Sequence, residues 1–319
     1  TTYLEGQFPA TSPPPFEIAD GVRWVPAGGL CDVEEPPDRY VIIGAGKTAL
    51  DACVYLLERD VPPDRICWVK SREGRWLNRR FQQPLTLLSQ MAQGSALLVG
   101  AAAAAASIDD LFERLESDGM VLRVDPNTPA TFMRGAILSE AELTMLRRID
   151  NVVRLGHVQR IEADRIVLDD GTVPTTAASL HVHCAAKGLA RRPFRPIFDG
   201  LRMTAQPFMF APGSYSAAFL AAVEVFVDDD EARNGLCRPV VSWETDEEFL
   251  TALLARMEVD PRVARHPELA RWTRSTRLNP ANRGQADVDD AAVSAAHEEV
   301  RRQAPGATRN LRRLLGRSG

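Results

Sequence analysis

Tyr40-Val41-Ile42-Ile43 runs directly into Gly44-Ala45-Gly46-Lys47-Thr48-Ala49 and then into a helical pattern from Thr48 to Arg59. No other stretch limits the fold as strongly. A continuous β-prone run without polar alternation belongs to a strand buried on both faces, as in a parallel sheet. The helix carries Ala49, Leu50, Cys53, Leu56 and Leu57 on one side, and Pro62-Pro63 ends it before a second apolar strand, Ile66-Cys67-Trp68-Val69. Strand, tight turn, helix and strand within about 30 residues make a βαβ unit, so the class is α/β.

The turn has the G-x-G-x-x-A spacing of a phosphate cradle, and each position has a physical job. Gly44 permits the sharp strand-to-helix turn, Gly46 lets a pyrophosphate approach the backbone, and Ala49 lets the helix lie close on the strand. The helix start adds free N–H groups and the positive end of its dipole. This context predicts a dinucleotide site at Gly44, Ala45, Gly46, Lys47, Thr48 and Ala49; the alternative is a plain tight turn. Gly46-Lys47-Thr48 also imitates the end of a P-loop, but that loop requires glycine at position 41, which is valine. ATP hydrolysis is therefore excluded. Sites for NAD usually place an acid at the end of the second strand, whereas this strand runs into Lys70-Ser71-Arg72-Glu73. Two cations and a hydroxyl suit a 2′-phosphate, so NADP is expected ahead of NAD, held by Lys70, Ser71 and Arg72. A solvated basic loop is the bland alternative.

Alternation of helix and strand continues downstream. Ser107-x-x-Asp110 caps a helix that Gly119 stops, Met120 to Val124 is a strand, and Ser139-x-x-Glu142 caps another helix. From Asn151 the period changes to two. Val152 to Ile161, Arg165 to Leu168 and the turn at Asp169-Asp170-Gly171 predict a β-meander, closed by Leu180 to Cys184. Thr245-x-x-Glu248 opens a mostly helical tail, and residues 301–319 are rich in arginine, as in a frayed end.

Composition narrows the function classes. Lys and Arg number 38 against 43 Asp and Glu, a net charge of −5, which argues against a generally basic, nucleic-acid-binding surface. Hydrophobic residues at 45% and charged residues at 25% exclude wholesale disorder. The cysteines, at 31, 53, 67, 184 and 237, form no C-x-x-C pair, which predicts a reducing, cytoplasmic setting and no redox dithiol. The longest strongly apolar run, residues 96–106, is too short to span a bilayer, so no membrane partner is expected. His181 and His183 share a strand face, but no further ligands at metal-site spacing accompany them, so packed histidines are expected and no metal. No G-x-S-x-G elbow supports a Ser-His-Asp triad, and His157 and His266 have no companion identifiable from sequence. No catalytic side chain is assigned.

Tyr40 to Asp51 with Ile66 to Val69 resembles the NAD(P)-binding Rossmann domain of two-dinucleotide flavoproteins, the pyridine-nucleotide oxidoreductases and related flavin monooxygenases. The meander around Arg165 to Val173 and the segment Gln206 to Ser216 are similar to the parts that close that domain and return to the flavin domain. The resemblance implies the end of a flavin-type domain over residues 1–35, the NAD(P)-binding domain over 36–190, a return segment over 191–243 and a helical region over 244–319. It also implies that Ser214-Tyr215-Ser216 could start a helix aimed at flavin; an ordinary helix cap is the alternative. The chain departs from the family in several places. No G-x-G-x-x-G precedes residue 44 and Thr1 opens the chain, so the FAD-binding half is expected to be missing here. No F-x-G-x-x-x-H stretch supports oxygen insertion, and His183-Cys184-Ala185-Ala186 stands where the family has Asp or Cys followed by Thr-Gly. The function the resemblance implies is the NADPH-binding part of a flavin-dependent oxidoreductase that passes hydride to FAD and on to an unknown small-molecule acceptor. The alternatives are a non-catalytic NADP(H)-binding module or an inactive remnant, and a dehydrogenase without flavin.

Overall fold

The apolar run at 40–43 becomes the middle of the main sheet. The computed structural model describes residues 6–208, 213–282 and 289–317. It begins with short strands β1 (Gly6–Gln7), β2 (Glu17–Ile18) and β3 (Trp24–Pro26), followed by β4 (Arg39–Ile43), α1 (Lys47–Leu57) and β5 (Ile66–Val69). Then come β6 (Glu73–Asn78), α2 (Leu88–Ala104), α3 (Ile108–Ser117), β7 (Val121–Arg123), β8 (Ala130–Leu138) and α4 (Glu140–Leu146). Next are β9 (Val152–Val153), β10 (Val158–Ile161), β11 (Arg165–Leu168), β12 (Gly171–Pro174), β13 (Ser179–His183) and β14 (Gly188–Leu189). The chain ends with β15 (Phe198–Asp199), β16 (Arg202–Met203), α5 (Gly213–Phe226), α6 (Asp230–Leu236), α7 (Asp246–Arg265), α8 (Pro267–Ser275) and α9 (Asp290–Leu314).

The class is α/β, with a five-stranded parallel sheet in the order β3-β13-β4-β5-β9. Central β4 is covered on both faces, which is why its sequence is apolar without alternation. Tyr40, Ile42, Ile66 and Trp68 pack on α1 through Ala49, Leu50 and Cys53. Val41, Ile43, Cys67 and Val69 pack on Ile161, Ile166 and Leu168 of β10 and β11. Each such fully buried aliphatic side chain stabilises by about 1.5–3 kcal/mol, so the unit that carries the glycine turn is held from both sides.

Several expectations are corrected. Residue 35 is not a break in the sheet, because β3 pairs in parallel with β13 and extends the main sheet from the N-terminal side. A three-residue strand is too short to display a period in sequence. The strand at 179–183 lies in this main sheet, between β3 and β4, rather than in the meander, which consists of β10, β11 and β12 with β2 alongside. The supposed loop after Val69 soon becomes β6, the centre of a three-stranded sheet β7-β6-β8.

That smaller sheet nucleates a second core with α2, α3, α7 and α9. The arginine-rich tail is the docked helix α9, not a frayed end. Ala307 and Leu311 are fully buried, and Asn310 Nδ2 donates to the carbonyls of Ala102 and Ala105 at 2.9 and 2.8 Å. Residues 85–104 form a 20-residue apolar stretch, longer than the run counted from sequence and sufficient by length and composition alone to cross a membrane. Here Ala92, Leu98 and Ala102 of that stretch are buried. The caps read from sequence are present: Ser139 with Glu142 and Thr245 with Glu248 make reciprocal boxes, and Ser107 accepts from the Asp110 N–H.

Candidate functional site

A cavity of about 450 Å³ opens at the carboxyl ends of β4, β5 and β13. Its floor is the glycine turn. Gly44 has φ +146°, and a Cβ there would lie 3.0 Å from the Cys184 carbonyl carbon and oxygen. The Gly44 N–H donates to Val69 O at 2.9 Å, and Trp68 Nε1 donates to Gly44 O at 2.9 Å. The turn therefore demands glycine and is tied to β5 on one side and β13 on the other. Gly46 differs: its backbone is extended (φ −88°, ψ 179°), and the nearest atom to an added Cβ is Arg134 Nη1 at 3.9 Å. Space above Gly46 is open.

Gly46 caps α1 without any side-chain oxygen. An uncapped helix start lined by Gly46, Lys47 and Thr48 leaves first-turn N–H groups available to an anion. Ala49 does not line the cavity; it is fully buried between helix and sheet, as its small size requires. Lys47 is paired with Asp51, and Glu142 lies 3.6 Å from its Nζ.

Of the residues proposed for a 2′-phosphate, the fold brings Ser71 and Arg72 to the cavity and takes Lys70 away from it. Strand pairing continues past Val69, since the Lys70 N–H donates to Val153 O at 3.0 Å. Strand alternation then puts Lys70 on the Trp68 side. It is 3% exposed, 2.7 Å from Glu73 Oε2 and 4.2 Å above the Trp68 ring. Burial pulls its ammonium below the ordinary range, and Glu73 pulls it back. It belongs to a buried charge network with Glu73, Arg154 and Asp125.

Arg72 lies over the Phe132 ring at 4.8 Å. Burial, and after it the like charge of Arg134, hold its guanidinium below the usual range. Arg134, which sequence reading missed, comes from β8 and is held by Glu244 at 2.7 Å, with its Nε buried and unpartnered among the described residues. Nothing local in the sequence marks it, because β8 reaches the cavity only through pairing with β6. Lys47, Arg72, Arg134 and Lys187 thus line the cavity, while among the described residues no Asp or Glu does.

The opposite wall is the end of β13 with His183 and Cys184, and Gln7, Phe8, Pro13 and Phe16 of the N-terminal segment cover it. β1 holds that cover by pairing with β14. Burial pushes the Cys184 thiol up to about 12, so it stays protonated. His157 stands at the rim, exposed, 3.1 Å from Asp169, the companion that sequence did not identify. His181 is hydrogen-bonded to Thr175 and to Arg23 O, and the described residues hold no cluster suited to a metal. Tyr215 packs away from the cavity, stacked on Trp272 at 6.0 Å, and neither Ser214 nor Ser216 lines the cavity, so the helix start at Ser214-Tyr215-Ser216 does not face it. Residues 209–212 of the proposed return segment lie outside the described residues.

No family model matches the chain, and no solved structure does. Uncharacterized proteins from Mycobacterium bovis and from two strains of Mycobacterium tuberculosis are each 39% identical to it over 279 residues. The match takes in 87% of this chain and 52% of each relative. The chain therefore spans about half the length of the curated relatives it matches.

Proposed function

We propose that the cavity is an NADP(H) site on a Rossmann-type domain, and that the chain is the NADPH-binding part of a flavin-dependent oxidoreductase. The observation that carries this reading is a cleft to which the described residues bring four cations and no carboxylate, built over a glycine turn and an uncapped helix start. Its position agrees: from β4 the chain moves outward to β5 and β9, then crosses back to β13 on the other side of β4. In open parallel sheets such a reversal of strand order is where nucleotides bind. Arg72, with no ion-pair partner among the described residues and repelled by Arg134, is the cation that would hold a 2′-phosphate, with Ser71 beside it.

NADPH supplies a hydride when bound, so the protein's task there is binding and orientation. The described residues contain no second glycine turn of this kind, so no residue here is assigned to FAD. The relatives' greater length leaves room in them for a flavin-binding part. A non-catalytic NADP(H)-binding module is the second reading, favoured by the lack of an acid–base pair inside the cleft beyond the exposed His157–Asp169 pair at its rim. An absorption spectrum of the full chain with added FAD, followed by NADPH titration, separates them. A flavin band that bleaches supports the oxidoreductase, and saturable NADPH binding without flavin supports the module. Arg72→Ala should weaken NADPH binding about tenfold and spare NADH. Equal loss for both would remove the 2′-phosphate assignment.

A further inference from the structure

His181 and His183 sit two residues apart on one face of β13, and the contrast between them is informative. Both are 2% exposed. His181 has its ring nitrogens satisfied by Thr175 Oγ1 at 2.9 Å and Arg23 O at 3.1 Å. His183 lines the cleft, meets Phe16 edge-on at 5.5 Å, and leaves Nδ1 buried with no partner among the described residues. A buried ring nitrogen without a partner costs free energy that a bound group would recover. Burial holds this imidazole below its ordinary range, so it is neutral, with one donor and one acceptor nitrogen.

Its place along the cleft says what the bound group is. The glycine turn follows β4, Ser71 and Arg72 follow β5, and His183 ends β13 opposite Ile43 of β4. Neighbouring strands are about 4.8 Å apart, so β13, which His183 ends, and β5, which leads into Arg72, stand roughly 10 Å apart on opposite sides of the cradle. A dinucleotide with its pyrophosphate on the cradle extends one half toward each. Given the dinucleotide reading above, on which this rests, we propose that His183 recognises the non-adenosine half by hydrogen-bonding a neutral carboxamide, the group a nicotinamide ring carries. A neutral donor–acceptor imidazole matches an amide, whereas the Arg72 guanidinium matches phosphate.

The test is calorimetric titration of the full chain with NADPH and with adenosine 2′,5′-bisphosphate, which carries only the adenosine half. His183→Leu should weaken NADPH binding about tenfold and leave the bisphosphate within twofold. His183→Gln, which keeps a polar group, should lose less, and it provides the reading if the leucine variant fails to fold. Unchanged NADPH affinity, or equal loss for both ligands, overturns the assignment while the dinucleotide reading stands. Failure of the unmodified chain to bind either ligand overturns the dinucleotide reading and this assignment together.

Discussion

Replacing Gly44 and Gly46 by alanine, one at a time, separates what the turn does for the fold from what it does for a ligand. At Gly44 an alanine is strained by φ +146°, and its Cβ would press within 3.0 Å of the Cys184 carbonyl, which β-pairing prevents from retreating. Backbone strain of about 1–3 kcal/mol and overpacking of about 1–3 kcal/mol together predict a loss of about 2–6 kcal/mol. In a chain of this size that lowers Tm by roughly 3–9 °C. Gly46 has an ordinary extended backbone and no atom within 3.4 Å of an added Cβ, so Gly46→Ala should leave stability unchanged or raise it by up to about 1 kcal/mol. The added methyl would occupy the approach to the α1 N–H groups. Losing two charge-assisted hydrogen bonds there predicts NADPH binding about a hundredfold weaker. Urea denaturation and fluorescence titration with NADPH measure the two effects independently. Gly46→Ala protein that binds NADPH like the parent would refute the phosphate cradle, and Gly44→Ala protein of parental stability would refute the turn geometry.

Lys70→Met should destabilise by about 3 kcal/mol, because it leaves the buried Glu73 carboxylate, among the described residues, with Arg154 at 3.4 Å as its one ion partner and a long hydrogen bond from the Gly74 N–H. NADPH affinity of the folded variant should hold, and a selective loss of NADPH affinity would return Lys70 to the cleft. Leu311→Ala should cost about 2–4 kcal/mol in urea denaturation and speed hydrogen exchange in α2, since the side chain is fully buried in the second core. An unchanged midpoint would mean α9 is not docked. Burial holds His181 below the ordinary histidine value of 6.5, so the unfolded chain binds more protons than the folded one as pH falls. Its contribution to stability is complete above about pH 6.5 and is lost progressively as pH falls below that, and His181→Gln should flatten the urea-midpoint profile below about pH 6.5.

The readable parts of this chain are those whose reasons are local. Gly44 takes a positive φ at the turn itself and Ala49 sits within the same short strand-turn-helix unit, so their spacing marks the turn, and the caps at Ser107, Ser139 and Thr245 are visible because their partners lie three residues on. Lys70 is an instructive failure. Treating the strand as finished at Val69 makes the next residues a loop, but the Lys70 N–H still pairs with β9, and continuing the alternation past Val69 puts the lysine on the Trp68 face, away from the cleft. Short strands such as β3 and β14 contain too few residues to show a period, so the N-terminal segment reads as a connector although it extends the main sheet and covers the cleft.

Arg134 marks the limit of sequence reading, because its position depends on groups far along the chain. Phe132, two residues before it, supports Arg72, while the intervening Met133 N–H donates to Glu244 O at 2.8 Å. The Glu244 side chain holds Arg134, its N–H donates to Glu248 Oε2 at 2.7 Å, and Glu248 in turn takes Arg191 at 2.6 Å. The capping box that opens α7 is therefore also the anchor of a cation in the cleft. The smaller sheet shares one core with α7 and α9. Together they form the wall that brings a second guanidinium to within reach of the glycine turn, which the βαβ unit cannot do alone.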